Sequence, residues 1–355
     1  MKRRWRFLFF GIGLAGMAIM LLQVNWSTMD WDQFFNVNVL TLFGMLILIW
    51  LAIYSIHTVC YKLILGDEHK KVRFFSMFKI CASGFALNNV TPGGLIGGEP
   101  YRILELKRYV STEKATSSTL SFTLVYTLGH FLLWITATVL YIVYGLPGNV
   151  GITILMMTAG CLITGGFALF ILLRKRGVAY PVMKWLSKLP ILRKKLPVVV
   201  EKNKESYIEI DENIKKFRTT PVRFVVVIAL QYLTRILEGL EYFAILYYFT
   251  GGEGTIFDGI LIMGVASLIG NIIWIIPMQT STREIGMVFA LSFLMCTQGL
   301  PNNELAELAV QIGLVYRVRE FLFILFGILL VAFGKRGKKY KEDEQKIEIE
   351  EKGAN

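Results

Sequence analysis

Apolar segments of two kinds alternate with polar runs along this chain. Residues 7–24, 38–61, 116–145, 151–173, 222–249 and 308–333 are close to or longer than the roughly 20 apolar residues that carry a helix across a bilayer. They predict six membrane-spanning helices. Two further apolar stretches are cut in the middle. Residues 80–90, about 11 long, and 99–110 flank a tip rich in glycine and proline, inside the run NNVTPGGLIGGEPYR. Neither arm reaches across, so the pair reads as a re-entrant hairpin near 80–110 entering from one face. Residues 259–298 break at PMQTSTRE (277–284) and predict a second hairpin with longer arms. Broken backbone is costly in hydrocarbon, where every unpaired peptide group loses several kcal/mol, and is tolerated where it lines a polar site.

Charge orients these segments. Arg3, Arg4 and Arg6 precede the first helix, and Lys62, Lys70, Lys71, Arg73 and Lys79 follow the second. Residues 174–223 hold 14 Lys/Arg against five Asp/Glu, and GKRGKKYK follows the last helix. The loops 25–37, 250–258 and 299–307 contain no Lys or Arg. By the positive-inside rule both termini are cytoplasmic, the first hairpin enters from inside and the second from outside. The 174–221 linker, with Pro181, Pro190 and Pro197 and the stretch EKNKESYIEIDENIKKF, reads as a broken amphipathic segment on the inner leaflet. The 334–355 tail reads as charged and disordered.

Sliding the chain by 185 residues lays 222–249 on 37–64, the second broken segment on the first, and the last helix on the one beginning near residue 119. Matched helices run in opposite directions by the charge argument. The expected architecture is therefore an all-α polytopic membrane protein with about six full helices and two re-entrant helical hairpins in inverted-topology repeats. Residues 1–36 form a first helix and external loop, 37–145 repeat 1, 146–173 an extra helix, 174–221 the linker and 222–333 repeat 2. Such repeats are common in secondary transporters, with the site where the broken helices meet.

Composition agrees: 54% of the 355 residues are hydrophobic and the mean hydropathy is +0.54. The net charge of +12 is accounted for by topology, without nucleic acid. Cys60, Cys81, Cys161 and Cys296 lie far apart with no CxxC, so they read as small core residues. No metal or cofactor is expected. No small-residue cleavage site follows 7–24, so the first helix is expected to be retained.

Ionisable groups at membrane depth cost at least about 2.5 kcal/mol each and face a bundle interior or a polar cavity. Arg235, Glu238 and Glu241 follow one another at i, i+3 and i+6 in one spanning segment, and Arg317, Arg319 and Glu320 sit in another. The plain reading pairs Arg235 with Glu238 and Arg317 with Glu320, leaving Glu241 and Arg319 unexplained. The sharper reading is a cavity in which Arg102, Arg235, Arg283 and Arg317 hold an anionic group, with Glu99, Glu238, Glu241, Glu284 and Glu320 around it. The first tip adds Asn88, Pro92, Gly93, Gly94, Gly97 and Gly98. A half-helix starting between Gly97 and Pro100 would aim its free N–H groups at such an anion. His57 and His130, alone in apolar helices, read as structural.

Asn88, Pro92, Gly93, Gly98, Glu99 and Arg102, then Arg235 and Glu238, then Pro277 with Arg283 and Glu284, resemble the signature positions of the lysylphosphatidylglycerol synthase transmembrane-region family. The resemblance spans roughly residues 7–333. It implies handling or translocation of a polar-headgroup lipid between leaflets. The second motif departs from the pattern: Met278, Gln279 and Ser281 stand where glycines are usual. The soluble aminoacyl-transferase domain of two-domain members is not found after the last helix, so synthesis of the aminoacyl lipid is not expected.

The expected function is flipping of a phospholipid or lipid-linked precursor with an anionic headgroup across the bacterial cytoplasmic membrane. The alternative is a membrane enzyme acting on a lipid phosphate or glycan carrier, although no catalytic, metal-binding or Walker motif is found. The expected partners are membrane lipids. A homo-oligomer or a separate lipid-modifying enzyme is left open.

Overall fold

The structure is a computed structural model and describes residues 37–90, 98–143, 201, 204–272 and 282–333. These hold nine α-helices, two short 3-10 turns and no strand. The helices are α1 (Val37–Leu65), α2 (Phe74–Val90), α3 (Gly98–Leu106), α4 (Thr112–Val143), α5 (Lys204–Thr219), α6 (Pro221–Phe249), α7 (Ile256–Ile272), α8 (Thr282–Leu291) and α9 (Asn302–Phe333).

Local sequence explains the ends. α1 stops at Gly66, whose φ of +65° is open to glycine at little cost, and a 3-10 turn (Gly66–Lys71) follows. α6 begins with Pro221, whose missing N–H is not needed in a first turn. At the start of α7 the Thr255 hydroxyl accepts from the Asp258 N–H at 3.3 Å, while Asp258 Oδ2 accepts from the Thr255 N–H at 2.6 Å. This reciprocal cap satisfies two end groups at once.

The two halves match element by element. α1 and α6 each have 29 residues, α2 and α7 each 17, α3 and α8 nine and ten, and α4 and α9 each 32. The offset between partners is not uniform: it is 184, 182, 184 and 190 from the paired helix starts, around the expected 185. Neighbours are exchanged symmetrically. α1 packs on α6 at the centre, α2 of the first half lies against α9, and α7 of the second half lies against α4. α2 with α3, and α7 with α8, form two packed hairpins.

Several boundaries differ from those read in the sequence. The first hairpin's leading arm has 17 residues rather than about 11, because Phe74–Lys79 is helical despite the charge of Lys79. α4 starts at Thr112 and α9 at Asn302, earlier than expected, as their polar first turns continue the helix. By length and composition α1 with its following turn (Asn38–Lys71) and α4 can each cross a membrane; α5 and α6, bent by 84°, together make a third candidate. α9 is as long as α4 but carries Arg317, Arg319 and Glu320 mid-length. The spans expected at 7–24 and 151–173 lie outside the described residues, as do 92–97 of the first tip and 277–281 of the second; Gly98 and Thr282, at the ends of those tips, already begin helices.

Within the linker, α5 is amphipathic. Its apolar stripe Ile210, Ile214 and Phe217 is buried, and the helix packs on α4, with Phe217 edge-on to Phe224 at 5.7 Å.

Candidate functional site

At the first hairpin, α3 begins against the end of α2. The Gly98 N–H donates to Asn88 Oδ1 at 2.7 Å, so a side chain from one arm caps the first turn of the other. Glu99 follows, and its Oε1 accepts from Arg102 Nη1 at 3.1 Å, Asn88 Nδ2 at 3.2 Å and Thr123 Oγ1 of α4 at 3.3 Å. Arg102 is buried, lies over the Phe122 ring at 5.4 Å, and runs along Gly84, where a Cβ would come within 2.8 Å of its Cγ.

On α6, Arg235 is 1% exposed. Its Nη1 donates to both oxygens of Glu238, at 2.8 and 2.7 Å, and its guanidinium lies over the Tyr126 ring at 4.3 Å. Its Nε and Nη2 have no hydrogen-bond partner among the described residues. Among the described residues one edge of the planar fork is therefore without a partner, while the opposite corner holds the neutralising carboxylate. Phe122 and Tyr126 are one turn apart on α4, with ring centroids 6.3 Å apart, so Arg102 and Arg235 sit on one aromatic strip.

The pairing in the second half differs from the sequence reading. Glu241 and Arg319 do not stand apart as surplus charges: they form an ion pair between α6 and α9, with side-chain exposures of 0% and 5%. Glu320 faces Arg283 at 3.9 Å, across α8 and α9, rather than pairing with Arg317. Positions 317 and 320 share a helix, but the approach of α8 presents Arg283 to the carboxylate. Arg283 and Arg319 both lie over Tyr316, at 5.3 and 4.9 Å.

The halves correspond here too. Tyr126 and Tyr316 are each fourteen residues beyond the first residue of α4 and α9, and each carries an arginine on its ring. His57 corresponds to Glu241, each twenty beyond the start of α1 and α6, and His130 to Glu320, each eighteen beyond. The first half has imidazoles where the second has carboxylates. His57 is packed among the rings of Tyr54, Phe122 and Tyr126, and His130 Nδ1 reaches Ser267 Oγ at 3.5 Å. Tyr54 is within electrostatic range of Arg102, Arg319 and Glu238, and Tyr316 of Arg283, Arg319, Glu320 and Glu238. The charges of both halves thus share one interior.

Of the expected site residues, Asn88, Gly98, Glu99, Arg102, Arg235 and Glu238 gather around Phe122 and Tyr126. Glu241, Arg283 and Glu320 gather with Arg319 around Tyr316, and Arg317 is half-buried on α9. Pro92, Gly93, Gly94 and Gly97 lie outside the described residues, as does the side chain of Glu284. Sequence reasoning missed Thr123, the two tyrosines and Gln231. Gln231 was signalled only by its place one turn before Arg235 in an apolar helix. No cluster of His, Cys, Asp and Glu that could hold a metal occurs among the described residues.

Comparison with curated proteins and with solved structures finds no match. A family model does match, over residues 8–327, and that stretch takes in every residue of both arginine clusters. With that coverage, the chain belongs to the family of the lysylphosphatidylglycerol synthase TM region, membrane domains tied to lipid modification or flipping.

Proposed function

We propose that the chain moves a lipid with an anionic headgroup between leaflets of the bacterial cytoplasmic membrane, through a polar interior lined by Arg102 and Arg235. The observation that carries this reading is the Nε–Nη2 edge of Arg235, buried in a long apolar helix and without a hydrogen-bond partner among the described residues. A guanidinium edge donates two parallel hydrogen bonds and matches two oxygens of a phosphate. A scaffold arginine would be expected to use that edge on the protein itself, since orphaned buried donors are costly. Glu238 and Tyr126 hold the guanidinium in place, so its order is not purchased from the ligand.

In this reading the two hairpins are re-entrant, enter from opposite faces and bring their tips toward the arginines, while acyl chains stay in the bilayer. The termini are cytoplasmic. The protein acts as a carrier rather than a catalyst, and Glu99 and Glu238 hold the arginines in register between cargoes.

Reconstitution into vesicles carrying fluorescent lipids of several headgroups tests this. Wild type is expected to move anionic lipids, and Arg235→Ala and Arg102→Ala to abolish movement in folded protein. Arg235→Lys, which keeps the charge but loses the edge, is expected to retain a small fraction of the rate. Chemical turnover of a lipid by purified wild type, without net movement, would replace the carrier reading with an enzymatic one.

A further inference from the structure

We infer that Glu241 takes up a proton when an anionic cargo enters the interior, so that lipid and proton cross the membrane together. This rests on the carrier reading above and extends it to what balances the cargo's charge.

The interior is balanced before any cargo arrives. Four arginines meet four carboxylates one to one: Arg102 with Glu99, Arg235 with Glu238, Arg283 with Glu320 and Arg319 with Glu241. Arg317 and Glu284 add one charge of each sign in the sequence. A lipid phosphate brings a negative charge with no cation of its own. A lone charge in a desolvated space is far costlier than a pair, so the charge balance favours neutralising one carboxylate as the phosphate enters.

Geometry singles out Glu241. Its side chain is fully buried, and it is tied to Arg319 through Oε2 and Nη2 alone. Oε1 of Glu241 and Nε of Arg319 have no hydrogen-bond partner among the described residues. A proton on Oε1 therefore displaces no existing bond. Glu238 differs, since both its oxygens accept from Arg235 Nη1. Glu99 lacks a partner at Oε2, but its Oε1 accepts three donors that favour the anion. Glu320, 3.9 Å from Arg283, is the nearest rival.

Arg319 and Glu320 of α9 face Glu241, and Glu238 lies one turn back on α6. Into the same interior α1 brings Tyr54 and His57, α4 brings Tyr126 and His130, α7 brings Ser267 beside His130, and α8 brings Arg283. Tyr242 and Tyr316 stack beside them at 4.9 Å. The matched positions reinforce the inference: His57 stands for Glu241 and His130 for Glu320 in the first half, so all four hold side chains able to exchange a proton.

The balance is one phosphodiester charge to one proton. The proton leaves water on the entry side, forms an O–H bond at Oε1 of Glu241, and returns to water on the exit side as the pair with Arg319 reforms. In between, the Arg319 charge offsets the cargo. Tyr316 lies within electrostatic range of both Arg319 and Arg235, so a phosphate on Arg235 shares their space.

The test titrates full-length protein in phosphatidylcholine nanodiscs with fluorescent phosphatidylmethanol, whose phosphodiester keeps its single charge throughout. The empty site holds Glu241 ionised and the complex holds it protonated, so affinity rises as pH falls. Wild type is expected to bind about tenfold more tightly per pH unit between about pH 8 and about pH 6, the slope of one proton taken up. Glu241→Gln, neutral at every pH, is expected to change by less than about twofold per unit. Glu320→Gln is expected to keep the wild-type slope. If Glu241→Gln does not fold, Glu241→Leu with Arg319→Met, which buries no lone charge, carries the same comparison and is expected to be flat. A flat wild type, or a slope that survives the loss of Glu241, overturns the proton site. A wild type that shows the Glu241-dependent slope but moves no lipid in vesicles supports the proton site and overturns the carrier reading alone. A flat wild type that does move anionic lipid overturns the proton site alone.

Discussion

Gly264 of α7 lies so close to Ala137 of α4 that a Cβ on the glycine would overlap the alanine methyl. The same crossing recurs in the other half: a Cβ on Gly327 of α9 would come within 2.8 Å of the Ala82 carbonyl of α2. Ala82 and Gly264 are each eight residues beyond the start of their helices, and Ala137 and Gly327 each twenty-five beyond. The two contacts are thus one contact, exchanged between repeats, with glycine and alanine swapped. Small residues let backbones approach in lipid, where packing rather than hydrophobic burial drives helix association.

Valine at Gly264 or at Gly327 is expected to lower stability by about 1–3 kcal/mol, the usual cost of forcing extra methyl groups into a packed site. Gly44, with nothing within 4 Å of its would-be Cβ, is the control and should accept valine with little change. Thermal unfolding in detergent separates the three. Equal loss at Gly44 would show that the crossings are not special.

Breaking the Glu241–Arg319 pair should cost about 3–5 kcal/mol, because either single replacement leaves a buried charge alone. Glu241→Gln and Arg319→Met are the single tests. The double replacement Glu241→Leu with Arg319→Met is expected to recover most of the loss, since apolar substitutes avoid the desolvation that the pair incurs. A double-mutant cycle with no coupling would contradict the pairing.

Gly84→Ala is expected to mimic Arg102→Ala in lipid movement. The new methyl group occupies the path of the Arg102 side chain and displaces it from Glu99. The transport assay on folded Gly84→Ala, with Gly84→Ala/Arg102→Ala giving no further loss, checks this.

Asn88→Ala removes the acceptor for the Gly98 N–H and a donor to Glu99. The loss of a cap of this kind costs about 1 kcal/mol. Faster amide exchange at Gly98 and Glu99, with α7 and α8 unchanged, is the expected readout. Exchange that rises equally in both hairpins would mean the cap does not act locally.

Detaching α5 should be a separable event. Phe217→Ala is expected to cost about 3–5 kcal/mol of local packing against α4 and α6. Limited proteolysis should then cut within 204–219 before any other described segment, while lipid binding at Arg235 persists.

Much of this was legible in the chain. A bilayer imposes its demands in one dimension: length, apolarity and the side on which cations fall. α1, α4 and the two interrupted segments could therefore be read from residue runs, and the repeat from spacing near 185. The burial of Arg235, Glu241, Arg319 and Glu320 followed from the same reasoning, because any charge inside such a segment needs a polar neighbour. Polar first turns blurred the boundaries: Thr112–Lys114 and Asn302–Glu304 look like loop by hydropathy but have the residues helix starts favour.

The sequence by itself determined that this is a helical membrane protein with arginines and carboxylates inside its long apolar segments. Only the tertiary structure decided which charge meets which. Glu241 finds Arg319 across 78 positions and Glu320 turns to Arg283, because helix rotation and crossing, not spacing along one helix, set which side chains share a desolvated space. The same crossings hold Arg235 over Tyr126, with its Nε and Nη2 lacking a hydrogen-bond partner among the described residues.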